Sequence, residues 1–304
     1  MPASEGYVTA EDGVRLYFET WGSGTQPVFI PNGLYLADDF KRLAAARTLI
    51  YYDLRNRGRS DSVSDPAKLE RGIYNDVDDL ETIRRHFGIG RADLIGHSYA
   101  GLMVLLYAMT HPDHVHRIVQ IGAPPPDAAT QYPQHLMNAD ATLAEVLAQL
   151  AKLQEHSQPG DAQERCRKFW SVLRVLYVAD PADAGKINWG RCDLPNERNF
   201  MKYWIGTILP SLRRLKLTSE EFARVKAQVL AIHGAKDRSS AYGGGREWAM
   251  KLPNARLVTI ENAAHAPWVE APERVFSAIQ TFFNSAWPED AETVTSLDPD
   301  SRLR

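Results

Sequence analysis

Short apolar runs alternate with amphipathic segments along most of this chain. Residues 48–52 (TLIYY) have no polar face, which is typical of a strand buried on both sides of a sheet. Residues 73–87 instead repeat their apolar positions at helical spacing and predict an amphipathic helix. The whole pattern predicts strands at 28–30, 48–52, 92–95, 117–121, 228–232 and 256–260, and helices at 37–46, 73–87, from Tyr99 onward, at 244–251 and at 272–283.

The order of these elements predicts the fold class. Residues 7–19 first form two strands around the turn at Asp12-Gly13, and strands and helices then alternate. Strands that are joined through helices pair in parallel with right-handed crossovers. The chain is therefore predicted to have an α/β fold with a doubly wound, mostly parallel sheet.

The alternation stops at three consecutive prolines, Pro124 to Pro126, and resumes near residue 228. The intervening residues are mostly helical in pattern, so we interpret 127–222 as an inserted helical cap lobe. The core is then assembled from residues 1–126 and 223–286. The tail, residues 287–304, is acidic and lacks periodicity, and it is predicted to be disordered.

Composition and charge exclude several classes of function. A formal net charge of −3 argues against nucleic acid as the main partner. No leader-like N-terminus and no run of about 18 apolar residues is present, so no membrane association is predicted. The two cysteines, Cys166 and Cys192, make neither a disulfide framework nor a metal site, and a reducing, cytoplasmic location follows as the default. The oligomeric state is not indicated.

Residues 96–101 (GHSYAG) carry the strongest chemical signal. They lie between the predicted strand 92–95 and the predicted helix that starts at Tyr99. A serine on so tight a strand-to-helix turn is exposed, and small residues two places before and after it let the two backbones approach. Gly96 and Ala100 meet that need around Ser98, which is the candidate nucleophile.

Two further candidates follow the ends of predicted strands. Asp237 comes after strand 228–232 and His265 after strand 256–260, which is where an open α/β sheet places its chemistry. A neutral imidazole could take the proton of Ser98, and a buried carboxylate could hold the imidazole in the required tautomer. Asp127, which follows the strand before the lobe, is the alternative acid, but the phrase from His233 to Asp237 favours Asp237.

With these residues the chain resembles α/β-hydrolase-fold serine hydrolases from Tyr7 to Asn284. The resemblance implies that Ser98, Asp237 and His265 form a catalytic triad, and it requires no metal or organic cofactor. It also implies that the backbone amides of Tyr99 and Leu34 form the oxyanion hole.

Two stretches depart from the family pattern. Relatives commonly carry His-Gly where this chain has Asn32-Gly33, so Asn32 either braces the loop or faces the substrate. Residues 53–60 (DLRNRGRS) resemble a stretch of prolyl-iminopeptidase-like and esterase-like members, with Asn56 in place of its first glycine. We interpret that stretch as a structural turn braced by Asp53 and Arg55.

Several other residues have competing interpretations. His97 is predicted to pack beneath the turn, and the histidines at 111, 114 and 116 are predicted to lie in a solvated loop, because no nearby carboxylate set completes a metal site. Candidate pocket residues are Asn32, Tyr35 and Trp268. Further aromatic residues could belong either to the pocket or to the core: Tyr99, Trp170, Tyr203 and Trp204.

The sequence thus predicts a serine hydrolase that cleaves a small-molecule carboxylic ester or lactone through an acyl-enzyme on Ser98. A prolyl-iminopeptidase-like aminopeptidase is the main alternative, and it needs a lobe carboxylate to hold a substrate amine. A carbon–carbon bond hydrolase could use the same triad, and a non-catalytic ligand-binding protein on the same scaffold is a remote alternative. The available lobe carboxylates are Glu145, Glu155, Glu164 and Glu197.

Overall fold

The computed structural model describes residues 2–155, 162–187, 189 and 191–298. Eight strands form one sheet in the order β1-β2-β4-β3-β5-β6-β7-β8. β2 runs antiparallel to both β1 and β4, and the remaining pairs are parallel. The strands are β1 Ser4–Thr9, β2 Arg15–Trp21, β3 Pro27–Pro31, β4 Thr48–Tyr52, β5 Ala92–His97, β6 Val115–Ile121, β7 Gln228–Gly234 and β8 Ala255–Ile260. The predicted α/β fold class is confirmed.

Helices cover both faces of the sheet, because neighbouring residues of a buried strand point to opposite sides. In β5, Leu94 packs into one core and Ile95 into the other. The helices that follow β4 and β5 contribute to the first core, whereas those that follow β3 and β8 contribute to the second. The helices of the α/β core are α1 Gly33–Phe40, α2 Ile73–His86, α3 Tyr99–Thr110, α9 Tyr242–Lys251, α10 Pro267–Glu270 and α11 Pro272–Phe283.

The prediction of a helix at 37–46 is wrong in its position. α1 begins at Gly33, directly after Asn32, and a 3₁₀ turn at Lys41–Ala45 replaces the rest of the predicted helix. Asn32 has a left-handed backbone (φ 63°), a conformation that asparagine tolerates better than most residues. The loop after β3 is therefore very short, and it leads straight into a helix.

Between β6 and β7 the described residues are mainly helical. We call residues 127–222 the helical lobe. A short π-helical turn at Trp204–Ile208 joins two of its helices. Its α-helices are α4 Ala141–Glu155, α5 Ala162–Leu173, α6 Pro195–Tyr203, α7 Leu209–Arg214 and α8 Ser219–Ala223.

The described part of the tail is ordered, which corrects the prediction of disorder for residues 287–298. β8 is an edge strand, and its Leu257 exchanges two backbone hydrogen bonds with Glu292 (2.9 and 2.7 Å). Arg246 bonds the Glu292 carboxylate, and Val294 is only 4% exposed. The tail thus satisfies free backbone groups at the sheet edge. Residues 299–304 lie outside the described residues.

The two cysteines form a disulfide, contrary to the expectation from their number. Cys166 on α5 is bonded to Cys192, which lies before α6, across a separation of 26 residues. Because disulfides persist mainly in oxidising compartments, the cysteine argument for a reducing location no longer holds. Within the described residues, no helix combines the length and apolar character needed to cross a bilayer.

Removing this disulfide is expected to destabilise the helical lobe. A cross-link that closes a loop of this length restricts the unfolded chain and contributes about 3.5 kcal/mol. The Cys166→Ser/Cys192→Ser variant should therefore unfold at lower urea concentration than the oxidised wild type. Adding a reductant should bring the wild type to the midpoint of the variant and leave the variant unchanged. Equal midpoints for oxidised wild type and variant would contradict a stabilising role.

Candidate active site

Ser98 occupies the sharp turn between β5 and α3. Its backbone (φ 54°, ψ −127°) lies outside the regions that non-glycine residues normally adopt. The turn is held by its own hydrogen bonds: the Ser98 amide donates to the Ile121 carbonyl (2.8 Å), and the Gly101 amide donates to the Ser98 carbonyl (2.9 Å). The Ser98 side chain is thereby presented on the wall of a cavity, where His265 also lies.

The structure brings His265 and Asp237 together at the carboxyl ends of β7 and β8. Nδ1 of His265 lies 2.8 Å from Oδ2 of Asp237. Because an ionised carboxylate can only accept, Nδ1 is the protonated nitrogen, and in the neutral form of this imidazole the lone pair is on Nε2. Oδ1 of Asp237 accepts the backbone amides of Ser239 and Ser240, both at 2.8 Å.

Asp237 is fully buried, and its charge is stabilised by two histidines. Burial alone would raise the pKa of this carboxyl, but His265 and His233 hold it well below its usual range. His233 was not singled out by the sequence, although it begins the phrase that ends at Asp237. Its Nε2 lies 3.1 Å from Oδ2 of Asp237 and also contacts the Ser240 carbonyl at 3.1 Å.

Asp127, the alternative acid, performs a local structural role. Its Oδ1 accepts the Ala129 amide at 2.8 Å, and its carbonyl accepts the Thr130 amide. It therefore closes a turn at the start of the helical lobe. The contact with His265 supports Asp237 as the acid.

His97, predicted to pack beneath the turn, packs beside the candidate base and also lines the cavity. Its Nε2 lies 3.0 Å from the His265 carbonyl, and the two rings are 4.6 Å apart between centroids. Burial lowers the pKa of His97 well below its usual value, and the neighbouring His265 lowers it further. A neutral His97 can donate its Nε2 proton to that carbonyl and so fixes the loop that carries His265.

The amides of Tyr99 and Leu34 have the helix positions that a pair of oxyanion donors would need. Tyr99 is the first residue of α3 and Leu34 the second residue of α1, and the first four amides of a helix have no partner within it. The adjacent Asn32 lines the cavity, and its Oδ1 is buried without a hydrogen-bond partner among the described residues. That oxygen therefore does not brace the loop.

The Tyr99 side chain is anchored below the turn by Asp76, a residue that sequence reasoning missed. The Tyr99 hydroxyl donates to Oδ2 of Asp76, which is fully buried on α2. Burial, together with the nearby Asp79, raises the pKa of Asp76 to about 7. The side chain of the residue that follows Ser98 is thus fixed by a hydrogen bond to a buried carboxyl group.

A cavity of about 560 Å³ joins Ser98 and His265 to the helical lobe. Tyr35 and Asn32 line it, but Trp268 does not. The Trp268 indole is 2% exposed, packs on His97 and donates to Asp39 at 2.8 Å, so its assignment to the pocket is wrong. Most of the cavity wall is apolar: Leu36, Leu143, Leu147, Leu150, Phe169, Trp170, Leu173, Leu176, Trp189, Phe200, Met201 and Trp204.

Among the four candidate lobe carboxylates, those whose side chains the structure describes do not line this cavity. Glu197 is fully buried and forms a two-point ion pair with Arg57, Nε–Oε1 at 3.0 Å and Nη2–Oε2 at 3.1 Å. It also accepts the Gly58 amide at 2.9 Å. Glu145 and Glu164 are exposed, and the side chain of Glu155 lies outside the described residues.

Residues 53–60 form the braced turn that the sequence predicted. Arg55 holds Asp79 of α2 through two hydrogen bonds of 2.8 and 2.7 Å. Oδ2 of Asp53 accepts the Arg59 amide at 2.9 Å. The turn also presents Arg57 to the cavity, which the sequence did not indicate.

The histidine-rich loop has a carboxylate neighbour after all. Glu81 of α2 lies beside His111 and His114, with potential ligand atoms within 4.8 Å of one another. Its two oxygens already accept from Arg84, Arg85 and Tyr107. The positive charges of Arg84 and Arg85 would repel a cation bound to Glu81. The cluster is therefore an ion-pair network rather than a metal site.

Comparisons with known proteins agree with this architecture. The family described as alpha/beta hydrolase fold matches residues 28–272. A bifunctional esterase/perhydrolase from Acinetobacter calcoaceticus is 33% identical over 291 residues, which cover 92% of this chain and all of that protein. A proline iminopeptidase from Heyndrickxia coagulans is 23% identical over 308 residues, covering 93% and 99% of the two chains.

A solved structure shows the same fold at low sequence identity. An esterase from Exiguobacterium antarcticum superposes with a TM-score of 0.70 and 19% identity, and the match covers 92% of this chain and all of the esterase. The family match and the 33% identical relative establish the relationship. This chain belongs to the alpha/beta-hydrolase-fold family of hydrolases.

Proposed function

We propose that this protein hydrolyses carboxylic esters or lactones of small, largely apolar molecules through an acyl-enzyme on Ser98. The observation that carries the proposal is the buried Asp237–His265 hydrogen bond, because His265 shares a cavity with Ser98 on its constrained turn. A neutral imidazole with Nε2 free is the base that a serine nucleophile needs. The 33% identical relative, named as an esterase/perhydrolase, supports the same reaction class.

The proposed reaction proceeds in two halves. Oγ of Ser98 attacks the ester carbonyl while Nε2 of His265 takes the serine proton, and the amides of Tyr99 and Leu34 stabilise the oxyanion. Collapse of the intermediate breaks the bond to the alcohol oxygen, which receives the proton from His265. Water then attacks the acyl-enzyme with His265 as base, and the acid product leaves with Ser98 restored.

The cavity wall favours esters over the aminopeptidase alternative. A substrate amine needs an acidic partner, and the described residues that line the cavity include no aspartate or glutamate. Glu197 is paired with Arg57 from the core. The apolar side chains of the helical lobe instead suit a substrate that is itself largely apolar. We therefore assign substrate selection to residues 127–222.

A fluorophosphonate probe tests this proposal directly. The wild type is expected to be labelled on Ser98, and Ser98→Ala is expected to remain unlabelled. Ser239→Ala is the matched control, because Ser239 lines the same cavity and should be irrelevant to labelling. A wild type that neither reacts with the probe nor cleaves 4-nitrophenyl butyrate would overturn the proposal. Faster cleavage of a proline arylamide than of the ester would favour the aminopeptidase.

A further inference from the structure

Glu270 accepts hydrogen bonds from two backbone amides that belong to different parts of the chain. It is the last residue of α10, the short helix after His265, and its Oε2 accepts the Ala264 amide at 2.8 Å. Its Oε1 accepts the amide of Ala179, a residue of the helical lobe, at 2.7 Å. One carboxylate therefore joins the loop of the candidate base to the helical lobe.

The lobe segment that contains Ala179 makes further bonds to the same region. The Tyr177 carbonyl accepts the Ala266 amide at 2.8 Å, and the Val178 carbonyl accepts from Nη1 of Arg238 at 3.0 Å. Arg238 directly follows the candidate acid in the sequence. Three successive lobe residues are thus hydrogen-bonded to the loops that carry the candidate acid and base.

The peptide group between His265 and Ala266 is fixed at both ends. Its carbonyl lies 3.0 Å from Nε2 of His97, and its amide donates to the Tyr177 carbonyl. The Tyr177 ring also lies 4.8 Å from the His265 ring between centroids, and it lines the cavity. Because Tyr177 contacts both the backbone beside the imidazole and the imidazole itself, a shift of this lobe segment would displace the candidate base.

A carboxylate is suited to serve both amides at once. Each of its two oxygens accepts, whereas a carboxamide of the same length has one oxygen and one N–H₂ group. In Glu270→Gln one amide would therefore face a donor in place of an acceptor. Ala264 is fully buried, and a buried amide that loses its acceptor is costly. Either the His265 loop or the lobe segment would have to move.

We propose that Glu270 is a positioning residue for the candidate base. By bridging Ala264 and Ala179 it holds the His265 loop and the helical lobe in one arrangement, and so keeps the imidazole where the proton transfers with Ser98 need it. This inference rests on the proposed ester hydrolysis and adds a residue to it. Glu270 is not among the described residues that line the cavity, so it acts through His265 rather than on the substrate.

The kinetics of Glu270→Gln on 4-nitrophenyl butyrate test the inference, with rates expressed per active site. Exhaustive labelling with a fluorophosphonate counts the sites, so a loss of folded protein does not change the rate per site. We expect kcat per site to fall about tenfold and KM to change less than about threefold, because a displaced base slows both acylation and deacylation. Glu273→Gln is the matched control. It makes the same change in an 85% exposed side chain and should leave kcat per site unchanged.

Glu270→Asp is a second variant that keeps the charge. Its side chain is one methylene shorter, too short to keep both bonds without moving the backbone, so kcat per site should again fall. If Glu270→Gln gives no titratable sites, Glu270→Asp decides. The inference fails if kcat per site stays within about twofold of the wild type, or if KM rises while kcat holds, because the bridge would then shape only the cavity wall. A wild type that is not labelled and cleaves no ester would instead overturn the proposed function.

Discussion

Replacing Asp237 by asparagine is expected to lower kcat/KM for ester hydrolysis by about 10⁴-fold. Oδ1 of Asp237 accepts two backbone amides at 2.8 Å, so the asparagine oxygen should take that place. The Nδ2 group would then face Nδ1 of His265 and donate to it. His265 would have to carry its proton on Nε2, and it could no longer accept the proton of Ser98.

Asp127→Asn is the matched control for this variant. Asp127 is the first residue of the helical lobe and closes a local turn, so its replacement should change kcat/KM less than severalfold. Both proteins should be compared by initial rates on 4-nitrophenyl butyrate and by thermal unfolding, which verifies that each is folded. A folded Asp237→Asn enzyme that keeps a tenth or more of the wild-type rate would exclude Asp237 as the acid.

The sequence predicts the positions of those site residues that come directly after a strand. Asp237 and His265 follow adjacent parallel strands, β7 and β8, so their proximity could be predicted from the apolar runs before them. The position of Ser98 followed in the same way from the end of β5. Periodicity predicts such positions because it defines where a buried strand stops.

Contacts made by the helical lobe could not be predicted in this way. Glu197 and Arg57 are 140 residues apart, and nothing in the local pattern of either indicates the other. The disulfide between Cys166 and Cys192 depends on how two lobe segments pack, which periodicity does not define. The environment of Trp268 could not be predicted either. An aromatic residue close to His265 in sequence can lie in the core or in the cavity, and the local pattern does not distinguish the two.

The order of residues 287–298 could not be predicted from the sequence for a different reason. Residues 287–298 make one isolated bridge to β8, polar contacts with Arg246, an ion pair between Asp290 and Arg274, and a ring contact between Trp287 and Phe282 at 5.0 Å. Such scattered contacts leave no periodic signal, and the composition alone is typical of a disordered segment. The edge of the sheet, together with the core surfaces on which Trp287 and Val294 pack, accounts for the order of this segment.

Gly96→Ala is expected to destabilise the fold by about 3 kcal/mol, towards the upper end of what overpacking costs. A Cβ at this position would lie 2.4 Å from the carbonyl oxygen of Ala100, 2.7 Å from its carbonyl carbon and 2.8 Å from Cα of Gly101. All three are backbone atoms at the start of α3, and they cannot rotate away. β5 and α3 would have to separate, which also displaces Ser98 between them.

Gly90→Ala provides the comparison, because a Cβ there meets nothing within 4 Å. Gly90 is exposed just before β5, so its replacement should leave the urea midpoint nearly unchanged. Gly96→Ala should lower that midpoint strongly and should lower fluorophosphonate labelling of whatever fraction remains folded. The tight contact lies between Gly96 and the backbone of Ala100, which explains why alanine is tolerated at position 100 and glycine is needed at 96. Equal midpoints for the two variants would show that the turn can relax, and the constrained presentation of Ser98 would then have to be abandoned.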